Sequence, residues 1–350
     1  MKGWMGKLKV FSLLGFLALA LAGCGKENLT ALVPKGYGAH TSMKLIILTT
    51  IIMTFVFLVV MIVYVIVLLR FRAKKGQEDY IPKQVEGHIG LETVWTIIPI
   101  ILLIIIAVPT TIATFKLADD SDAKDHINVE VTGNQFWWHF NYDDEKVQTS
   151  QDLYIPTGKK VYLHMKSSDV IHSFWVPAIA GKMDVNAENT NTMYLKADEE
   201  GVYWGKCAEF CGDSHSLMDF KVIAVSPDKY EKWVKDMKSF DPDQKPETAA
   251  AQEGKDLFKE KNCMGCHAIG SSPIQTAPNL TDFGNRSKLA GVKEPTKENI
   301  MQWIQDPESM KPGNKMTGKY PAVSKDEAEK LAEYLMQLKP SDVTPESVSE

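Results

Sequence analysis

Two long runs without a charged residue, Leu45–Leu69 and Thr93–Phe115, constrain this chain more than any other feature. A helix of roughly 25 residues rising about 1.5 Å each reaches ~37 Å, enough to cross the hydrocarbon core of a bilayer with some tilt. Residues 43-69 and 93-115 are therefore expected to be transmembrane helices. Pro99 and Pro109 are tolerable inside the second where it packs against protein. The loop at 70-92 carries Arg70, Arg72, Lys74, Lys75 and Lys83. Positive loops stay on the cytoplasmic side, which places 24-42 and everything after Phe115 outside.

The extreme N-terminus supports the same orientation. Met1–Lys9 holds three lysines, and Val10–Ala22 is apolar but too short to span comfortably. It runs into Leu21-Ala22-Gly23-Cys24, which resembles a bacterial lipoprotein signal. The resemblance implies cleavage of residues 1-23, a lipid on the Cys24 sulfur and residence in a bacterial plasma membrane. One such chain is a marginal anchor, so it would only supplement the two spans.

The remainder reads as soluble, charged sequence. Its formal net charge is -5 for the whole chain, and no basic stripe occurs outside the 70-92 loop, which argues against a nucleic-acid partner. Residues 116-238 turn to β. Ile127 onward alternates apolar and polar, then come Phe136, Trp137 and Trp138. Short strands are expected at 160–165, 173–176, 192–195, 201–204 and 219–225 between Gly, Pro, Asn and Asp clusters. Six to eight strands in roughly 100 residues suggest an all-β sandwich. A helix at Pro227–Met237 closes it. After a polar linker at 239-251, the segment 252-340 is helical. Helices are expected at 251–261, 297–305 and 325–338, the last with a capping box from Ser324 to Glu327. The tail 341-350 reads as disordered.

Five cysteines, Cys24, Cys207, Cys211, Cys263 and Cys266, are too few and odd in number for an all-disulfide framework. Cys207, Cys211, His215 and Met218 lie within one stretch of twelve residues, and two thiolates, an imidazole and a thioether suit copper. A mononuclear blue-copper site needs one Cys; two in one loop can bridge a pair of ions. A second imidazole must then come from elsewhere, and His172 is the best candidate. A Cys207–Cys211 disulfide, a copper-delivery protein and a zinc site are the competing readings, although zinc has no use for Met218.

The second motif is Cys263-Met-Gly-Cys266-His267, the attachment pattern for c-type haem. Its thiols form thioethers and its histidine binds iron. A sixth ligand should be methionine, with Met310 and Met316 both in reach of the motif's domain.

Cys-x-Glu-x-Cys-x3-His-x2-Met, with His172 in a Val-Ile-His-Ser-Phe context, resembles the copper A centre of cytochrome c oxidase subunit II. The fused haem motif makes the likeness one to the caa3 type. The resemblance covers essentially the whole chain and implies a cupredoxin-like Greek-key sandwich followed by an all-α class I cytochrome c domain. It implies a binuclear copper A centre bridged by Cys207 and Cys211, with His172 and His215 binding one copper each. Met218 and the Glu209 carbonyl become axial ligands, and the Glu209 carboxylate points at a magnesium ion shared with subunit I. Met316 is selected because it follows Lys-Pro-Gly-x-x, although Thr317 stands where relatives have Pro. Glu92 becomes a proton-uptake candidate, against the plainer reading of a helix N-terminal acid. Phe136 replaces the tryptophan through which many relatives take up electrons, so Trp137 and Trp138 are candidates beside it. From Gln252 onward thirteen Lys/Arg face fifteen Asp/Glu, so the haem domain has no strongly basic face, and a tether replaces steering.

The implied activity passes electrons from an external donor, such as a cytochrome c or a quinol-cytochrome c reductase, through haem c and copper A to subunit I. Oxygen reduction to water and proton pumping would occur there, among the other oxidase subunits. A quinol-oxidase subunit, expected to lack these ligands, is the first alternative. A free-standing membrane electron carrier and a nitrous oxide reductase are the others, the latter needing a further large domain.

Overall fold

The computed structural model describes residues 11–13, 15–16, 27–72, 76, 81, 83–84, 87–271 and 276–349. Cys24, most of the expected signal segment, and Lys74 and Lys75 lie outside them. Both apolar runs are helical and overshoot their uncharged limits: α1 spans Tyr37–Arg70 and α2 spans Ile89–Ala118. Capping and packing set these ends rather than apolarity. His88 Nδ1 accepts the Leu91 N–H at the start of α2, and α1 begins where Gly36 bridges Ala197 of the β domain.

The two helices have mean hydropathies of 3.2 and 2.6 over their most apolar stretches, and their large side chains face outward. Leu103 is 64% exposed. Covering one such side chain contributes about 1.5–3 kcal/mol, so the pair requires lipid or a protein neighbour around it. The Lys35 and Tyr37 N–H groups bond Ala178 O and Lys196 O, and α2 ends shortly before the first strand. The start of α1 and the end of α2 therefore both abut the β domain, on one side of the span.

Ten strands form the sandwich, more than expected. One sheet contains β1 (Ile127–Asn134), β2 (Trp137–Tyr142), β3 (Val147–Ser150), β5 (Val161–Ser167) and β8 (Asn191–Leu195), in the order β3-β2-β1-β5-β8. The other contains β4 (Asp152–Pro156), β6 (His172–Trp175), β7 (Lys182–Val185), β9 (Gly201–Cys207) and β10 (Phe220–Val225), in the order β4-β10-β9-β6-β7. Pairing is antiparallel except for β1 with β5 and β4 with β10. Trp138, Phe140 and Tyr142 alternate into the core from β2. Trp138 meets Phe174 edge-on at 5.5 Å. The Tyr142 hydroxyl donates to Tyr154 O and accepts the Tyr154 N–H, each at 2.8 Å. Helix α3 (Pro227–Ser239) starts on a Ser226 cap with Pro227 in its first turn, and Trp233 stacks on Tyr154 at 4.5 Å.

The C-terminal domain packs α4 (Ala249–Glu260), α5 (Lys297–Gln305) and α6 (Lys325–Met336) around Phe258, Ile300, Leu331 and Leu335. The expected Ser324–Glu327 capping box is present. Gly254 lets α4 cross α6: a Cβ there would sit 2.0 Å from Lys330 O.

The expected disorder of 341-350 is corrected for the described residues 341–349. Val343 is buried in the sandwich core, Val348 packs beside it, and α7 (Pro345–Ser349) lies against β9 and β10. Ser341 donates to Asp236 Oδ2 at 2.6 Å, and Lys232 pairs with Asp342 at 2.6 Å. Two valines in a polar segment carry no periodicity, yet both find the sandwich. The tail thus straps the helical domain to the β domain.

Candidate metal centres

The Cys207–Met218 loop leaves β9 and returns as β10, while His172 opens the neighbouring β6, where Phe174 pairs with Cys207. Gly133 on β1 makes room for the His172 ring; a Cβ there would lie 2.9 Å from Cδ2. The donors converge. Cys207 Sγ and Cys211 Sγ are 3.9 Å apart and unbonded. His172 Nδ1 is 3.9 Å from Cys207 Sγ, and His215 Nδ1 is 3.6 Å from Cys211 Sγ. Met218 Sδ lies 3.8 Å from Cys211 Sγ, and Glu209 O lies 3.2 Å from Cys207 Sγ. His172, Cys207 and Cys211 form a buried cluster of metal-ligating type.

The two thiols perturb each other in opposite directions. The Cys211 thiol holds Cys207 well below its ordinary range, and the Cys207 thiolate pushes Cys211 up. A cation between them would favour both thiolates, which is the chemistry a soft donor set needs to bind copper. Burial lowers the His172 pKa, but the Asp169 carboxylate and Cys207 outweigh it and the net shift is upward. Asp169 Oδ1 receives His172 Nε2–H at 2.9 Å, fixing Nδ1 toward the sulfurs. Asp169 itself stays ionised: burial works against it, but His172, Lys315 and the Gln135 N–H hold its pKa down.

In the C-terminal domain Cys263 opens a 3₁₀ turn (Cys263–Gly265) after α4, Cys266 and His267 follow it directly, and all three line a cavity. His267 Nδ1 donates to Pro278 O at 2.8 Å, and among the described residues Nε2 has no hydrogen-bond partner. Burial keeps that imidazole neutral by lowering its pKa. Met316 lines the same cavity, together with Leu280, Phe283 and Trp303. Met310 is buried in the domain core and is not among the residues lining that cavity. Two thiols, a neutral imidazole and a thioether around an apolar cavity fit a covalently attached haem.

The two sites meet. The 311–316 loop rests on the copper loop, with Ser214 Oγ donating to Pro312 O at 2.6 Å. Phe136 fills the seam: Cβ positions at Gly212 and Gly313 would approach its ring at 3.1 and 3.5 Å. Gln135 Nε2 donates to Cys211 O at 2.7 Å. Lys315 pairs with Asp169 at 2.7 Å, so one carboxylate touches both the His172 imidazole and the haem-side loop. Asp169, Gln135 and Lys315 were missed from sequence; the spacing Asp169-Val-Ile-His172 was the available signal for the first.

Of the aromatic candidates, Trp138 packs on the His172 ring at 5.9 Å and Trp137 lines the haem cavity. Phe136 bridges the two loops. Glu92 stands apart in the first turn of α2, and the Glu209 side chain is exposed beside Phe210. His40 and His126 lie away from both sites and pair with Asp198 and Asp122.

A two-helix membrane hairpin bearing a sulfur-rich sandwich site and a haem-type domain defines a membrane-anchored redox subunit. The sequence family "Cytochrome C oxidase subunit II, transmembrane domain" matches residues 39–112, "Cytochrome C oxidase subunit II, periplasmic domain" matches 145–225, and "Cytochrome c" matches 251–339. Cytochrome c oxidase subunit 2 of Bacillus sp. (strain PS3) is 48% identical over 95% of this chain and 97% of its own length. That of Alkalihalophilus pseudofirmus is 47% identical over 93% and 96%. A quinol oxidase subunit 2 of Bacillus cereus is 34% identical but covers only 65% of this chain. The chain belongs to the cytochrome c oxidase subunit 2 family, with a copper A domain and a cytochrome c domain, and acts as an electron-transferring oxidase subunit.

Proposed function

We propose that this chain passes electrons from a haem c held by Cys263, Cys266, His267 and Met316 to a binuclear copper A centre. Cys207, Cys211, His172, His215, Met218 and the Glu209 carbonyl would hold the copper. From there electrons reach subunit I, where oxygen is reduced to water and protons are pumped. Copper and haem iron supply the one-electron chemistry. The chain's residues position them, exclude water and set their protonation. The observation carrying this reading is Asp169, hydrogen-bonded to His172 and ion-paired to Lys315, next to Met316.

Several finer assignments belong to the same reading. The exposed Glu209 carboxylate offers oxygen to a magnesium ion at the boundary with subunit I, a ligand type suited to a hard cation. Glu92 takes up protons at the cytoplasmic boundary, and a Glu92→Gln oxidase with unchanged turnover and pumping removes that role. Cys24 is lipidated, and the two soluble domains lie on the outer face. The reductant is a cytochrome c or a quinol-cytochrome c reductase.

The test is the electron paramagnetic resonance spectrum of the copper-loaded full chain in detergent. One unpaired electron shared equally by two coppers supports the reading; a single-copper pattern refutes the binuclear centre. Met316→Leu should abolish methionine ligation of the haem iron and Met310→Leu should leave it intact; the reverse outcome reassigns the ligand.

A further inference from the structure

Four cationic side chains line the haem cavity beside His267: Arg286, Lys311, Lys315 and Lys319. Arg286 is neutralised by Asp282 and also donates to Asn279 O. Lys315 pairs with Asp169, and Lys319 is exposed to water. Lys311 differs from all three. It is 3% exposed, and among the described residues its ammonium donates to one acceptor, Ala290 O at 2.7 Å, with no carboxylate in ion-pair range. Ala290 lines the same cavity. A buried ammonium is retained only with a counter-charge or at the cost of its proton. Burial alone pushes Lys311 down to about 7, because Asp219 and Cys211 act on it too weakly to compensate.

A haem brings two propionates and no other peripheral charge. Trp137 and Gln151 of the β domain form the facing part of the cavity wall, so an anion beside Lys311 would lie at the seam between the domains. We propose that Lys311 is the counter-ion of a haem propionate, anchoring the anionic edge of the cofactor against the copper domain. The inference rests on the haem site described above. It gives the lysine two tasks: keeping that propionate ionised at neutral pH, and fixing the haem at the face from which electrons leave for copper.

The test is the haem c midpoint potential of the full chain as a function of pH, in wild type, Lys311→Met and Lys311→Arg. Haemochrome spectra check covalent attachment separately; a wild-type chain without attached haem would sink the site rather than the lysine. In haem-loaded Lys311→Met the potential should drop, since ferric iron gains from loss of a nearby cation. It should also become pH-dependent between about pH 6 and 8 as the unpaired propionate titrates. Lys311→Arg should stay as flat as wild type. A Met variant whose potential and pH profile match wild type overturns the proposal. Should Lys311→Met fail to attach haem, the resonance Raman propionate band of Lys311→Arg decides: a shifted band supports the contact and an unmoved band refutes it.

Discussion

The copper site and the haem site are built on opposite plans. Every expected copper donor belongs to one domain, on or between strands, and neighbouring donor atoms already lie 3.2–3.9 Å apart. The haem site is a cavity whose ligands sit on turns and loops and whose wall is shared with the neighbouring domain. Strand-borne donors hold their geometry through the sandwich core; loop-borne ones depend on the cofactor and on docking to complete it. The copper centre should therefore tolerate damage to the haem domain better than the reverse.

The largest test of that asymmetry removes a bridge. Cys207→Ser should abolish the shared-electron copper spectrum entirely and leave covalent haem intact by absorbance. Cys266→Ala should weaken haem attachment while leaving the copper spectrum unchanged. A copper spectrum that vanished with Cys266 would break the comparison. Truncation after Pro340 comes next. It deletes Val343 and Val348, whose burial contributes about 3–5 kcal/mol to holding the domains together. Limited proteolysis should then cut the 240–248 connection, with the copper spectrum retained.

Acidification probes the shared wall. His139 lies on the outer face of β2 with Trp137, opposite Ser150, whose hydroxyl accepts the Asn279 N–H of the haem domain. It is 1% exposed, both ring nitrogens lack partners among the described residues, and burial pushes its pKa down to about 4. A depressed histidine means the native state binds fewer protons than the open one. Its stabilising contribution is complete above about pH 6.5 and is lost as pH falls toward 4, on the order of 3 kcal/mol. His139→Phe should flatten that part of the melting-temperature profile between pH 7 and 4.5. An unchanged profile would show that the ring stays covered when the domains part.

Sequence was most informative where chemistry is local. The Cys207–Met218 loop and the Cys263–His267 motif carry their ligands at fixed spacing, and both helices of the hairpin follow from uninterrupted apolarity. Long-range features were opaque. β4 is buried throughout and holds an Asp and a Pro, so it shows no alternation. β10 is likewise buried on both faces, one by the core and one by what lies over it. The Asp169–Lys315 contact joins residues 146 positions apart, and no single-sequence pattern predicts such a pair. The tail failed for the same reason: Val343 is informative only once the sandwich groove beneath it exists.

Asp169 tests the copper half of the junction. Asp169→Asn keeps the shape but removes the charge that orients His172, and such outer-shell changes typically cost 10–100-fold in metal affinity. Copper titration into the full chain should show that loss, with haem attachment unaffected. A variant with unchanged affinity would mean the strands alone orient the imidazole.

The smallest effect tests the haem half of the same contact. Lys315 is more than half exposed, so its pairing with Asp169 is screened by water and contributes about 0.2–1 kcal/mol. Lys315→Met should therefore lower the docked population less than about fivefold. Flash-induced electron transfer from haem to copper should slow by no more than that, and wild type should show a matching loss as ionic strength rises. Copper affinity should not change, because Gln135 N–H and His172 still hold Asp169 in place. A fall in copper affinity equal to that of Asp169→Asn would mean the haem loop helps build the copper site. The two centres would then be one structure rather than a rigid site and a docked one.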